Sequence, residues 1–88
     1  MTKIEIYTSP LCGYCHQAKH LLKKKNATFT EINVSGNDAR RAEMIARAGG
    51  ARTVPQIFIG ERHVGGCDEL YELDAQGGLD PLLAATDG

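Results

Sequence analysis

The sequence predicts an α/β protein with one small mixed four-stranded sheet and helices on both faces. The predicted elements run β-α-β-α-β-β-α, with one further short helix at the end. The initial strand-helix-strand unit implies parallel strands joined by a right-handed crossover. Two later strands around a Gly60-Glu61 turn imply an antiparallel hairpin. At 88 residues the chain fits one domain, residues 1–88.

The first strand is predicted at residues 3–7, where Ile4 and Ile6 alternate with polar neighbours before Pro10 breaks the pattern. A helix is predicted from about residue 11 to 25, because apolar or small residues recur every three or four positions. Those residues are Leu11, Cys15, Ala18, Leu21 and Leu22. Lysines in the last turn suit the helix dipole, and Asn26 suits the helix end.

The second strand is predicted at residues 28–34 and the second helix at residues 39–48. Asn37 or Asp38 is expected to cap this helix, and the glycines that follow it end it. Its inward face is predicted to consist of Ala42, Ile45 and Ala46.

The hairpin is predicted at residues 56–59 and 62–64, bounded by Gly65-Gly66. Asp68 is expected to cap a helix that extends to about Asp74. Asp80-Pro81 is predicted to start a last short helix, because proline suits the first helical position.

Charge and hydropathy exclude several kinds of partner. Ten basic and eleven acidic residues give a net charge of -1, so neither nucleic acid nor an anionic membrane is expected as a partner. No apolar run approaches the roughly 20 residues that span a bilayer. Glu5 interrupts the apolar stretch that an export signal needs, so a cytoplasmic location is expected.

The chemistry is predicted to lie in Cys12-Gly13-Tyr14-Cys15, at the start of the first helix. Two cysteines at this spacing can close a local disulfide. Free N–H groups and the helix dipole favour a thiolate at Cys12, and the thiolate is the form that attacks disulfides. Cys15 is on the apolar face and is expected to be buried. Cys12 is therefore predicted to attack, and Cys15 to resolve the mixed disulfide.

A zinc site is the alternative interpretation of this cysteine pair. Cys67 with His16, His20 or His63 would then complete the ligand set. Structural zinc usually takes its ligands as two close pairs, and the sequence has no second pair. We therefore expect no metal bound by protein ligands alone.

Four segments in order resemble the dithiol glutaredoxins, in particular the bacterial glutaredoxin 3 type. They are Glu5-Ile6-Tyr7-Thr8, Cys12-Gly13-Tyr14-Cys15-His16, Thr53-Val54-Pro55-Gln56-Ile57-Phe58-Ile59 and Gly65-Gly66-Cys67-Asp68. The resemblance implies the thioredoxin fold and a glutathione-dependent thiol–disulfide oxidoreductase. It implies that glutathione is the co-substrate and that disulfide-bearing or glutathionylated proteins are partners of a monomer. The absence of tryptophan argues against a thioredoxin.

The resemblance also assigns a glutathione site. Its expected residues are Tyr14, Thr53, Val54, Pro55, Gly66, Cys67 and Asp68. A cis bond before Pro55 would leave the Val54 backbone free to pair with the cysteinyl part of glutathione. Helix-start N–H groups near Gly66 would take the γ-glutamyl carboxylate, and Asp68 would take its ammonium. Cys67 is otherwise expected to be a buried, inert thiol.

Two positions depart from the family pattern. Gly13 replaces the usual proline, as in glutaredoxins that hold a glutathione-ligated [2Fe–2S] cluster through the first cysteine, so cluster binding at Cys12 in a dimer is an alternative function. Ser9 replaces a basic residue that would contact the glycine carboxylate of glutathione and stabilise the thiolate. Arg47 or Arg52 is the candidate to replace that contact.

Overall fold

The chain alternates strands and helices in the predicted order. The computed structural model describes residues 3–86. Its elements are β1 (Ile4–Thr8), α1 (Gly13–Lys24), β2 (Thr30–Asn33), α2 (Asp38–Arg47), β3 (Gln56–Ile59), β4 (Arg62–Gly65), α3 (Cys67–Ala75) and α4 (Leu79–Thr86). Within the described residues, no helix has both the length and the apolar character needed to cross a bilayer.

The four strands form one mixed sheet in the order β2-β1-β3-β4. β1 runs parallel to β2 and antiparallel to β3, and β3 and β4 form the predicted antiparallel hairpin. This is the arrangement of the thioredoxin fold, so the predicted fold class is confirmed.

Strand alternation divides the interior into two clusters on opposite faces of the sheet. On one face the isoleucines of β1 and β3 pack against α1, α3 and α4. The central residues of this cluster are Ile4, Ile6, Ile57, Ile59, Leu22, Leu70 and Leu79. On the other face α2 packs over Tyr7 and Phe58, with Met44 at the centre of the contact. Helices therefore cover both faces, as predicted.

The predicted inward face of α2 is wrong in part. Ala42 and Ala46 are exposed, whereas Met44 is fully buried and Ala48 is 7% exposed. Ile45 is half-buried against the same cluster. The helix is largely polar, and two neighbouring sets of apolar residues both match the 3.6-residue period: the predicted set with Ala42 and Ala46, and the observed set with Met44 and Ala48. The bulkier Met44 fills the space beside Tyr7 and Phe58, and this contact selects the stripe.

The predicted boundaries of α1 also need correction. The helix begins at Gly13 rather than near residue 11, because Cys12 has extended backbone angles and acts as the N-cap. Leu11 therefore does not belong to the inward face, and it is 98% exposed. The end of α1 is as predicted, since Asn26 has a φ of 59°, a left-handed conformation that asparagine tolerates well after a helix.

We predict that Met44→Ala destabilises the protein by about 2–5 kcal/mol, because it removes a fully buried side chain and leaves a cavity. Urea denaturation followed by circular dichroism measures this change. Ala46→Ser on the exposed side of α2 is the control and should change the free energy of unfolding by no more than about 0.5 kcal/mol. Equal losses in the two variants would contradict the observed orientation of α2.

Candidate active site

Cys12 occupies the N-cap position of α1, where a side-chain acceptor can satisfy a free backbone N–H group. The Cys15 N–H donates to Cys12 Sγ at 3.1 Å. The Cys12 thiol in turn lies 3.7 Å from the Val54 carbonyl oxygen, to which it can donate. Cys12 is partly exposed, so a disulfide in solution can reach it. The sulfur is thus open to solvent and is hydrogen-bonded at the start of the helix.

Cys15 has the opposite environment. Its side chain is fully buried in α1 against the sheet. Burial, reinforced by the hydrogen bond and the charge of Cys12, raises the pKa of the Cys15 thiol to about 12. Cys15 therefore remains a protonated thiol at neutral pH. The two cysteines of the motif therefore differ in access, since Cys12 is partly exposed and Cys15 is buried as expected.

We predict that iodoacetamide modifies Cys12 well before Cys15 at pH 7. With a pKa of about 12, the thiolate fraction of Cys15 at pH 7 is on the order of 10⁻⁵, and its burial restricts access further. Mass spectrometry of peptides after timed alkylation measures both rates. In Cys12→Ser, which lacks the Cys12 charge, Cys15 should react faster than in the wild type but only at alkaline pH. Modification of Cys15 first in the wild-type protein would contradict this assignment.

A pocket of about 260 Å³ lies beside Cys12. It is lined by Tyr14, Thr53, Val54, Pro55, Gly66, Cys67, Asp68 and Glu69. The structure thus brings together all seven residues of the site that the resemblance assigned, and adds Glu69. The Val54–Pro55 peptide bond is cis, as the resemblance implied.

The sheet explains why distant segments meet at this pocket. β1 and β3 are antiparallel, with Tyr7 opposite Gln56, so the end of β1 lies beside the start of β3. The end of β4 lies there too, since Gly65 pairs with Ile57. The Cys12 loop follows β1, Thr53 to Pro55 precede β3, and α3 follows β4. All three segments therefore converge at one end of the sheet.

The start of α3 is shaped by the two glycines before it. Gly65 has a φ of +116°, and a Cβ there would lie 3.0 Å from the Glu69 side chain. Only glycine suits this position. Gly66 then serves as the N-cap, with its N–H donating to Glu69 Oε1 at 2.7 Å.

The predicted cap role of Asp68 is therefore wrong. The tight turn at Gly65 starts the helix at Cys67, which places Asp68 within the first turn with an exposed side chain. Sequence reasoning missed Glu69. The available signal was the glutamate three residues after the capping position, which is typical of a capping box.

Cys67 is buried at the edge of the pocket. Burial, with the nearby charge of Asp68, raises the pKa of this thiol. Its Sγ lies 3.9 Å from Gln17 Oε1 on α1. These contacts agree with the expected inert thiol.

Arg47 does not lie where it could contact the glycine carboxylate of glutathione, the role that the sequence suggested for it. Its guanidinium pairs with Glu5 at 3.0 Å, donates to the Tyr7 hydroxyl at 2.8 Å and lies 4.2 Å from the centre of the Phe58 ring. These partners belong to the sheet face that α2 covers, and Arg47 does not line the pocket. Arg52 is exposed and adjoins Thr53 in sequence, so it stays the candidate to replace the missing cation near Ser9.

The cysteines and histidines that the zinc interpretation requires are not assembled into a metal site in the described residues. Within residues 3–86, no group of three or more His, Cys, Asp or Glu side chains is arranged to hold a metal ion. The other alternative implied by the resemblance is a [2Fe–2S] cluster ligated by Cys12 and glutathione in a dimer. Cluster binding stays a prediction, and the absorbance of protein purified without oxygen tests it.

Comparison with known proteins identifies the family. The family model described as Glutaredoxin matches residues 4–64. Glutaredoxin 3 of Escherichia coli (strain K12) is 59% identical over 83 residues, which cover 94% of this chain and 99% of the relative. This chain belongs to the glutaredoxin family. As a member of a family of oxidoreductases, this glutaredoxin has a thiol oxidoreductase role.

Solved glutaredoxins share the architecture of this one. The solution structure of glutaredoxin from Brucella melitensis matches with a TM-score of 0.81 and 54% identity, covering 94% of this chain and 89% of the other. The crystal structure of a buckwheat glutaredoxin–glutathione complex matches with a TM-score of 0.86 and 33% identity, covering 96% and 78% of the two chains. The second comparison shows that a protein with this backbone arrangement binds glutathione.

Proposed function

We propose that this glutaredoxin reduces glutathione mixed disulfides and protein disulfides, with Cys12 as the nucleophile and glutathione as the reductant. One observation carries the proposal. The Cys12 sulfur lies 3.7 Å from Val54 O, at the edge of the pocket that the seven expected glutathione-binding residues line. A tripeptide in this pocket would present its own sulfur to Cys12.

The first reaction needs only one protein cysteine. The Cys12 thiolate attacks the glutathionyl sulfur of a mixed disulfide, and the substrate leaves as a thiolate that takes a proton from water. A second glutathione, as its thiolate, attacks the Cys12–glutathione disulfide. This step releases oxidised glutathione and returns Cys12 as a thiolate. The incoming glutathione is the reductant, and the other half of the oxidised glutathione comes from the substrate.

Reduction of a protein disulfide uses both cysteines. Cys12 first forms a mixed disulfide with one sulfur of the substrate and releases the other. Cys12 raises the pKa of Cys15 both through a hydrogen bond and through the Cys12 charge. In the mixed disulfide the Cys12 sulfur carries no charge, so both effects are removed. Lys19, whose charge lowers the pKa of Cys15, remains. Cys15 can then lose its proton to water and attack Cys12 Sγ, which breaks the bond from Cys12 to the substrate and releases the second substrate sulfur as a thiolate. Two glutathione molecules reduce the resulting Cys12–Cys15 disulfide.

The pocket offers groups for each end of glutathione. The Val54 backbone would pair with the cysteinyl part, and the exposed Tyr14 ring would flank it. The N–H groups at the start of α3 would bind the γ-glutamyl carboxylate, which the positive end of the helix dipole favours. Asp68 would then bind the ammonium. The buckwheat glutaredoxin–glutathione complex supports a glutathione site on this fold.

We predict that Cys12→Ser abolishes thiol transfer, because Cys15 and Cys67 are both buried and burial raises the pKa of each thiol. Cys15→Ser should retain the reduction of a small glutathione mixed disulfide and lose most of its activity on a protein disulfide. Assays coupled to glutathione reductase measure both activities. His20→Ser, at an exposed position of α1 that does not line the pocket, is the control and should retain both. Equal losses in Cys12→Ser and Cys15→Ser would contradict the division of roles.

We also predict that Asp68→Asn raises the KM for a glutathione mixed disulfide by roughly two- to fivefold, the effect of losing one exposed charge pair. Its kcat should change less, because Asp68 would contact the γ-glutamyl ammonium rather than the reacting sulfur atoms. Glu72→Gln removes one charge from an exposed residue one turn further along α3 and serves as the control. A larger effect of Glu72→Gln would show that only the general charge of α3 matters.

A further inference from the structure

Gln56 is a buried polar residue that the mechanism above does not use. It is the first residue of β3, and its side chain is only 3% exposed. The Nε2 group donates to the Thr53 carbonyl oxygen at 3.0 Å and contacts Thr53 Oγ1 at 3.2 Å. Because a carbonyl oxygen only accepts, the amide nitrogen must be the atom that faces Thr53.

The other end of the Gln56 amide fixes His63. Gln56 Oε1 lies 2.6 Å from His63 Nε2. An amide oxygen only accepts, so His63 Nε2 carries the proton and donates it. The donor is present in both the Nε2-protonated neutral ring and the imidazolium. The amide thus has partners at both ends, which a buried polar group requires.

His63 is on the edge strand β4 but is held in place by an aromatic contact. Its ring stacks on Phe58 with centroids 4.9 Å apart and an angle of 23° between the planes. Phe58 is itself buried and is paired with His63 in the sheet. Holding the exposed His63 side chain in one rotamer costs conformational entropy. The stacking on Phe58 offsets this cost and favours the orientation that makes the hydrogen bond to Gln56.

Thr53 needs this support because its segment has no regular structure. Residues 51–55 lie between α2 and β3, outside any helix or strand, and Thr53 is exposed on the pocket wall. The next residue, Val54, carries the carbonyl oxygen that contacts Cys12. The sheet can therefore control the position of this wall through the Gln56 side chain.

We propose that Gln56 and His63 are positioning residues, which fix the Thr53–Val54 wall of the pocket and thereby set the affinity for the glutathionyl half of the substrate. The inference rests on the proposed function. Neither side chain touches the reacting sulfur atoms. Their effect should therefore appear in KM, whereas the intrinsic reactivity of Cys12 is set by α1 and the Cys15 N–H.

The main test is His63→Phe, which keeps an aromatic ring on Phe58 and removes the donor to Gln56. We expect the KM for a glutathione mixed disulfide of a small thiol to rise roughly 2- to 12-fold, the range for one neutral hydrogen bond. The rate of Cys12 alkylation by iodoacetamide should stay within about twofold, and the Thr53 and Val54 amide signals should shift in ¹H–¹⁵N spectra. His63→Gln, which can donate from its amide, should recover part of the lost affinity. Arg62→Ala on the same strand is the control and should change neither the KM nor the rate of Cys12 alkylation.

The possible outcomes separate the inference from the function on which it rests. If the wild-type protein reduces the mixed disulfide and His63→Phe leaves its KM unchanged, the positioning role is overturned. It is also overturned if the rate of Cys12 alkylation and the melting temperature both fall as the KM rises, because that pattern indicates a general structural defect. A wild-type protein with no activity on any glutathione mixed disulfide overturns the proposed function itself.

Discussion

The hydrogen bond from the Cys15 N–H to Cys12 Sγ is the contact on which the site depends. It exists because α1 starts one residue after Cys12, so that the sulfur takes the place of the oxygen in an ordinary N-cap. The same helix start places Cys15 on the inward face of α1, where it is fully buried. The start of α1 thus gives Cys12 a hydrogen-bond donor and access to solvent, and it buries Cys15.

Burial then distinguishes the three thiols from one another. Cys15 and Cys67 are enclosed, and burial raises the pKa of each. Cys12 is the one thiol that is both at a helix start and open to solvent. In the proposed mechanism Cys12 is therefore the nucleophile, and Cys15 attacks only after Cys12 has formed a mixed disulfide.

The geometry of the sheet determines which segments lie beside Cys12. Because β3 is antiparallel to β1, the segment before β3 comes beside the segment after β1. The hairpin then returns β4 to the same end, where Gly65 allows the tight entry into α3. Three loops from separate parts of the sequence thus form one pocket. The Gln56 side chain links the irregular loop among them to the more regular hairpin.

The sequence by itself determined the order of elements, the mixed sheet, the cysteine pair and, through resemblance, the residues of the pocket. These features depend on local signals such as strand alternation, glycine breaks and the spacing of Cys12 and Cys15. The sequence did not determine which stripe of α2 faces inward, where Arg47 binds, or that Gly66 rather than Asp68 caps α3. The first two depended on contacts between distant residues, Met44 with Phe58 and Arg47 with Glu5. The third depended on the positive φ of Gly65 and on the hydrogen bond from the Gly66 N–H to Glu69. The link from His63 through Gln56 to Thr53 was also decided by the tertiary structure alone, because only the folded sheet brings these side chains within hydrogen-bonding distance.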